Sequence, residues 1–518
     1  MPLWTYKEAK PGEVVAPNET LNWYRMLGLG AQHVFAMFGA TFVFPIVMGL
    51  NPQLAIMMSG IATLLFLLIV KGRVPSYLGT SAVFVGGVAA VAADGASPGE
   101  ITGSILVAGL ALTITGVVIH FLGAAFMAKM LPPVVTGAVV MLIGFNLAPV
   151  VAGVYWPQDQ WVALVVMFVV MICSVGLRGF AGRISILLAL VFGYALSWIL
   201  DVTTGPITSP DANGEVSEHL RVNWESVQAA PWIGFPPATD VASGVVGWHL
   251  PEFNIHYIIV MLPGIIALVA ENMGHVKAVE EMTGVDLDPM MGRAIIGDGV
   301  GTMVATSVGG SPTTTYAENI GIMASTKVYS SLAYVIAAGV AMLFGLSPKF
   351  GAIISATPGG VLGGITVVLY GMIGLLGAKI WKENRVDFAN PLNLVPIAAG
   401  LIIAIGDTTL NIGEHFALSG IAFGTLIVVV TYHVARLIAP KEMVKDSEAV
   451  HERELLGTSL WVGSTGTHDI EYLGIERSHG TLGRRREAGE TPLTDETPVT
   501  DQTDQTTPPK NATDREQA

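Results

Sequence analysis

Apolar stretches recur along the chain from about residue 25 to residue 440, separated by short polar breaks. Three of them, VVTGAVVMLIGFNLAPVVAG (134–153), WVALVVMFVVMICSVGL (161–177) and IAFGTLIVVVTYHVARLI (421–438), approach or reach the ~20 residues a helix needs to cross a bilayer. The pattern predicts about fourteen membrane segments, centred near residues 37, 62, 85, 112, 143, 169, 192, 264, 300, 318, 338, 368, 399 and 428. Seven fall on each side of a long polar loop at 202–252. An odd number per half predicts that the second half is inverted relative to the first. The alternating segments of a membrane β-barrel are not seen. The fold class is therefore an all-α polytopic membrane protein.

Two of the fourteen segments make poor helices. YLGTSAVFVGGVAAV (77–91) and GGSPTTTYAENIGIMAST (309–326) open with Gly, Ser, Thr and Pro and only then become helix-like. They are the third and tenth segments, equivalent places in the two halves, and such matched interruptions point to a transporter's binding site. Non-helical backbone survives at membrane depth only inside protein or beside a cavity. The Thr and Ser content suggests short extended pieces able to pair with each other. Ordinary glycine-rich helix packing is the competing explanation in a chain with 60 glycines.

Composition agrees. Hydrophobic residues make up 52% of the chain and charged residues 13%, about half the usual soluble share, and the mean hydropathy is +0.60. If the N-terminus is cytoplasmic, the inside loops carry Lys71, Arg73, Lys129, Arg178, Arg183, Lys277, Arg293, Lys327, Lys379, Lys382, Arg385 and Arg436. The opposite side has only Arg221 and Lys349, so charge asymmetry places both termini in the cytoplasm. The polar first 24 residues lack the apolar core of a cleavable signal. Cys173, the single cysteine, excludes an internal disulfide. The net charge of −14 lies mostly in loops and tails and is read as solvation. Beyond residue 441 the chain turns Thr/Pro/Asp-rich, which predicts a disordered cytoplasmic tail over 441–518. The expected organisation is an N-terminal segment (1–24), a first repeat (25–201), an external loop (202–252), a second repeat (253–440) and the tail.

Ionisable groups inside spans are costly, so each is a candidate for function. Glu271 lies in IIALVAENMGHVKAV with His275 one helical turn later, on the same face. Asp298 lies in AIIGDGVGTMV and Glu318 in TTTYAENIGIM; the first half offers Gln32 and His33. Simpler roles compete: Glu271 snorkelling to water, Asp298 joining two helices, His33 bracing the broken segments, and Tyr316, Phe84 and Tyr370 filling the core. Ionised carboxylates only accept hydrogen bonds and select a ligand with N–H donors. Free amides at half-helix starts select acceptors such as carbonyl oxygens. A planar neutral imide such as uracil has both on one rim, whereas an inorganic anion would be repelled. Accumulating a neutral solute requires a coupling ion. Glu271 with His275 is a candidate proton site, and sodium stays open. No HExxH or GxSxG motif suggests an enzyme, and no cofactor, metal or nucleic acid is expected.

These residues resemble the nucleobase-ascorbate transporter family. ENIGIMASTK (318–327) fits its signature, Gln/Glu/Pro-Asn-x-Gly-x-x-x-x-Thr-Arg/Lys/Gly. AQHVFAMFGAT (31–41) resembles its Gln-His motif, VPSYLGTSAVF (74–84) its third segment and AENMGHVKAV (270–279) its eighth. The likeness spans roughly residues 20–440, and MLPPVVTGAVVMLIGFNLAPV, GRAIIGDG and LSPKFGAII look most like the pyrimidine permeases of uracil degradation. The resemblance implies two inverted seven-segment repeats, a core domain (segments 1–4 and 8–11), a gate domain (5–7 and 12–14) and short antiparallel strands in segments 3 and 10. It implies a homodimer and proton-coupled import of uracil, or of another pyrimidine such as thymine, across the cytoplasmic membrane by alternating access. Carried over by position, Glu271 and Glu318 would bind the nucleobase beside the backbone of Ala82 and Ala317, with His275 supporting Glu271. Asp298 matches an aspartate important in purine-transporting members, and His33, Asn319 and Tyr370 would be supporting or coupling residues. Glu at the first motif position is typical of uracil-type members. Ala82 and Ala317 replace the Phe and Gly of uracil permeases, which leaves thymine or xanthine open. The rival readings are a xanthine-type proton symporter of the same fold and a sulfate-permease-like anion transporter.

Overall fold

The computed structural model describes residues 4–9, 13–123, 131–210, 215–236, 246–406, 408–411, 417–418 and 420–444. The proposed tail beyond residue 444 lies outside them. The first half contains α1 (Trp23–Ala36), α2 (Phe38–Val47), α3 (Pro52–Ile69), the strand β1 (Leu78–Thr80), α4 (Val85–Ala93), α5 (Pro98–Leu122), α6 (Pro133–Asn146), α7 (Gln160–Gly176) and α8 (Ser185–Thr204). The second contains α9 (Ile255–Met261), α10 (Gly264–Thr283), α11 (Met291–Thr306), the strand β2 (Thr313–Thr315) and α12 (Ala317–Thr326). It ends with α13 (Ser331–Gly345), α14 (Pro348–Ser355), α15 (Gly359–Glu383), α16 (Pro391–Ile405) and α17 (Gly420–Ile438).

The helix starts are written in the sequence. Asn51 and Ser97 each accept a bond from an orphan amide in the first turn, and each is followed at once by proline. Glu100 completes a capping box with Ser97. Asp159 caps α7 through the Val162 amide.

Among the described residues, eight helical spans are long and apolar enough to cross a membrane, or nine if α13 and α14, bent by 82°, count as one. α4, α7 and α16 are apolar but shorter. The protein is thus mostly helical, with about eight to nine membrane-crossing helices.

The helices pack in two groups. α5 lies along α11, α3 along both α11 and α13, and α1 along α13. In the second group α15 packs on α6 and α7, and α16 on α17 and α6. Lipid supplies no hydrophobic drive between helices, so close approach depends on small residues. A Cβ on Gly299 would collide with Thr113 Oγ1 and the Gly109 carbonyl of α5. A Cβ on Gly377 would collide with the Gly137 carbonyl of α6.

Both basic residues that break the charge asymmetry make contacts that tie the long loop to neighbouring helices. Arg221 pairs with Asp159 at 2.8 Å and Asp201 at 3.1 Å, at the ends of α7 and α8. The Lys349 amide donates to Pro231 O at 2.9 Å and its ammonium sits 5.4 Å from the Trp232 ring.

Candidate functional site

Two interrupted segments meet at the centre of the first helix group. β1 pairs antiparallel with β2 in the register Leu78 to Thr315, Gly79 to Thr314 and Thr80 to Thr313. Ser81 N–H to Pro312 O (2.8 Å) and Tyr316 N–H to Tyr77 O (3.2 Å) extend the ladder at either end. All six strand residues are buried. Their backbone groups need partners there, and threonines of the flanking helices help supply them. The Leu78 amide donates to Thr63 Oγ1 of α3 at 2.9 Å. The Thr313 amide donates to Thr302 Oγ1 of α11 at 3.1 Å, and that hydroxyl donates to Thr313 O at 2.9 Å.

Because the strands are antiparallel, the half-helices leave the crossing from opposite ends. At the first, Ser81 Oγ caps the Val83 amide. At the second, Tyr316 precedes α12 and makes no side-chain cap; the first turn instead carries Glu318, whose carboxylate accepts from its own backbone amide. Tyr316 is buried, and its hydroxyl donates to Thr80 O at 2.5 Å, bolting α12 to β1. Gly79 lies under that ring, where a Cβ would strike it.

The carboxylates converge here. Glu271 on α10 is half-buried, feels the charges of Asp298 and Glu318, and lies beside Thr314. Asp298 on α11 is wholly buried; Thr314 Oγ1 donates to its Oδ2 at 3.3 Å, with Asn272 and the Thr315 amide alongside. Ala317 and Glu318 are exposed between buried Tyr316 and Asn319, so the accessible surface opens at the start of α12. His275 Nδ1 lies 2.7 Å from Thr315 Oγ1, which donates to Asn272 Oδ1 at 3.0 Å. The arrangement gathers three carboxylates around the start of α12, where Ala317 and Glu318 are exposed.

The remaining sequence-derived residues fall around it. Ala82 is half-buried at the start of the first half-helix. Phe84 is buried, close to where a Cβ of Gly264 would project at the head of α10. His33 is buried on α1 with its ring 4.4 Å from Tyr334 of α13, and its Nδ1 has no hydrogen-bond partner. Gln32 is partly buried beside it. Asn319 is wholly buried with neither amide atom bonded. Tyr370 belongs to α15 of the other group; it stacks on Phe44 of α2 at 6.4 Å, and its buried hydroxyl is unpartnered. Sequence reasoning passed over Asn272, Thr314 and Thr315. The signal was a run of neutral polar residues, Thr313 to Thr315, inside an apolar span, but which of them meets which carboxylate depends on the strand register.

The family model described as Permease family, that of the xanthine–uracil permeases, matches residues 25–413. The chain is 43% identical over 434 residues to the putative pyrimidine permease RutG of Escherichia coli (strain K12), covering 82% of this chain and 92% of that one. It is 35% identical over 413 residues to the uracil permease of Bacillus caldolyticus, 77% of this chain and 89% of the relative. The uracil permease of Bacillus subtilis (strain 168) is 32% identical over 449 residues, 83% and 96%. Among solved structures, the murine anion transporter Slc26a9 in its inward-facing state superposes with a TM-score of 0.54 at 11% identity, covering 80% of this chain and 68% of that one. That likeness concerns the fold alone. The broken segments, the signature at Glu318 and these relatives agree: the chain is a multi-pass membrane permease, not an enzyme, and belongs to the nucleobase-ascorbate transporter family.

Proposed function

We propose that the protein imports uracil, or a closely related pyrimidine, by proton symport across the cytoplasmic membrane with both termini inside. The observation that carries this reading is the meeting of Glu271, Asp298 and Glu318 at the uncapped start of α12. Carboxylates there accept from the imide N–H groups of a pyrimidine, and free amides donate to its carbonyl oxygens. Two pyrimidine permease relatives of substantial identity, RutG and the Bacillus caldolyticus protein, support the substrate class. Glu271 and Glu318 are assigned as ligands of the nucleobase, with the backbone at Ala82 and Ala317 facing it. His275 supports Glu271, Tyr316 braces the crossing, and Tyr370 borders the pocket from the opposite helix group. The group built on α5, α11, α3 and α13 is assigned as the moving core. The α6, α7, α15–α17 group is assigned as the gate, through which two copies would associate. The fourteen segments are then two inverted repeats of seven, and transport is alternating access with core sliding against gate.

The test is uptake of labelled uracil into proteoliposomes under an imposed inward proton gradient, competed by thymine, xanthine and sodium. The expected result is accumulation that collapses with the gradient and that thymine competes better than xanthine. Uptake indifferent to the gradient would reject proton coupling. Stronger competition by xanthine would assign the room beside Ala82 to a purine.

A further inference from the structure

The hydrogen bonds around His275 fix more than its position. Asn272 Nδ2 donates to the Leu268 carbonyl at 3.0 Å, and because a carbonyl only accepts, this sets which way the amide faces. Its Oδ1 therefore points to Thr315 and must accept, so the single proton of the Thr315 hydroxyl goes to Asn272, at 3.0 Å. The oxygen of Thr315 is left to accept from His275 Nδ1, 2.7 Å away. A neutral His275 in that position carries its proton on Nδ1 and has a bare Nε2. Thr315 in turn is fixed by its pairing with Leu78 across the strand crossing. Three links, each with one chemically allowed direction, run from the backbone of α10 through β2 and back to α10.

We propose that Asn272 and Thr315 are positioning residues that hold His275 in the Nδ1–H tautomer, so that Nε2 is the atom at which this histidine accepts a proton or a ligand N–H. The proposal rests on the nucleobase reading for its use in transport but not for the tautomer itself. The nearest ionisable group along its own helix is Glu271, one turn earlier, which itself feels Asp298 on α11 and Glu318 on α12. None of them is a hydrogen-bond partner of Nδ1 in the structure, so the tautomer depends on the neutral chain. Thr315→Val removes the acceptor, whereas Thr315→Ser keeps it.

The test is 15N NMR of histidine-labelled protein in lipid nanodiscs, with the His275 signals identified by their loss in His275→Gln, alongside uracil uptake by the same variants. Wild type and Thr315→Ser are expected to show a protonated Nδ1 and a bare Nε2. Thr315→Val is expected to lose that pattern and to slow uptake about tenfold or more, as when a partner that fixes a ligating histidine is removed. A wild-type Nε2–H pattern, or a Thr315→Val protein that keeps the Nδ1–H pattern, would overturn the assignment. Wild type that shows Nδ1–H and yet carries no nucleobase would overturn the transport reading and leave the tautomer assignment standing.

Discussion

The two half-helices at the crossing share a plan and differ in chemistry. Each follows a three-residue buried strand, and each strand rests on a threonine from a neighbouring helix, Thr63 in one case and Thr302 in the other. At the first, Ser81 caps the Val83 amide and no ionisable residue follows before Asp94. At the second, the cap is missing, Glu318 stands in the first turn, and Glu271 and Asp298 lie close by. A helix start that caps itself has settled its own polar groups. The other relies on Glu318, whose carboxylate accepts from its own amide and keeps further acceptor sites. The two starts share a backbone plan, and the proposed function assigns ligand recognition to the second.

Substitutions at matched positions can break this contrast. The largest effect is expected from Glu318→Ala, which removes a charged acceptor worth about 1.5–3 kcal/mol, roughly 10- to 150-fold in uracil affinity. Tyr316→Phe removes the bond to Thr80 O and leaves a buried carbonyl short of a partner. It is expected to cost about 1 kcal/mol of stability, read as a lowered thermal midpoint, with a smaller loss of affinity through the loosened crossing. Ser81→Ala should have the smallest effect on the ligand: about 1 kcal/mol of stability from the lost cap, and uracil affinity within roughly threefold of wild type. If Ser81→Ala weakened binding as much as Glu318→Ala, the division of labour between the half-helices would be wrong.

How much was legible beforehand follows from the physics of each feature. The broken segments stood out because Gly, Ser, Thr and Pro runs are poor helix formers in an otherwise apolar chain, and their matching positions suggested a pair. Glu271, Asp298 and Glu318 stood out because charge at membrane depth is costly. Asn272, Thr314 and Thr315 carry no charge, and neutral polar residues in spans commonly serve helix packing. Their roles depend on the register of β1 on β2 and on the approach of α10 and α11, which no local pattern encodes. The two apparent exceptions to charge asymmetry have a similar explanation. Arg221 is committed to Asp159 and Asp201 and Lys349 to the Gln228–Trp232 stretch, contacts between residues more than a hundred positions apart in the case of Lys349. The 82° bend between α13 and α14 left only Ser347–Pro348 as a trace in the sequence.

Calorimetric titration of labelled-grade uracil into the purified protein, into Glu318→Ala and into Ser81→Ala addresses the site most directly. Wild type and Ser81→Ala should bind with similar affinity, while Glu318→Ala should show binding weakened at least about tenfold. Glu318→Ala binding uracil as wild type does would contradict the assignment of the ligand to the uncapped start of α12.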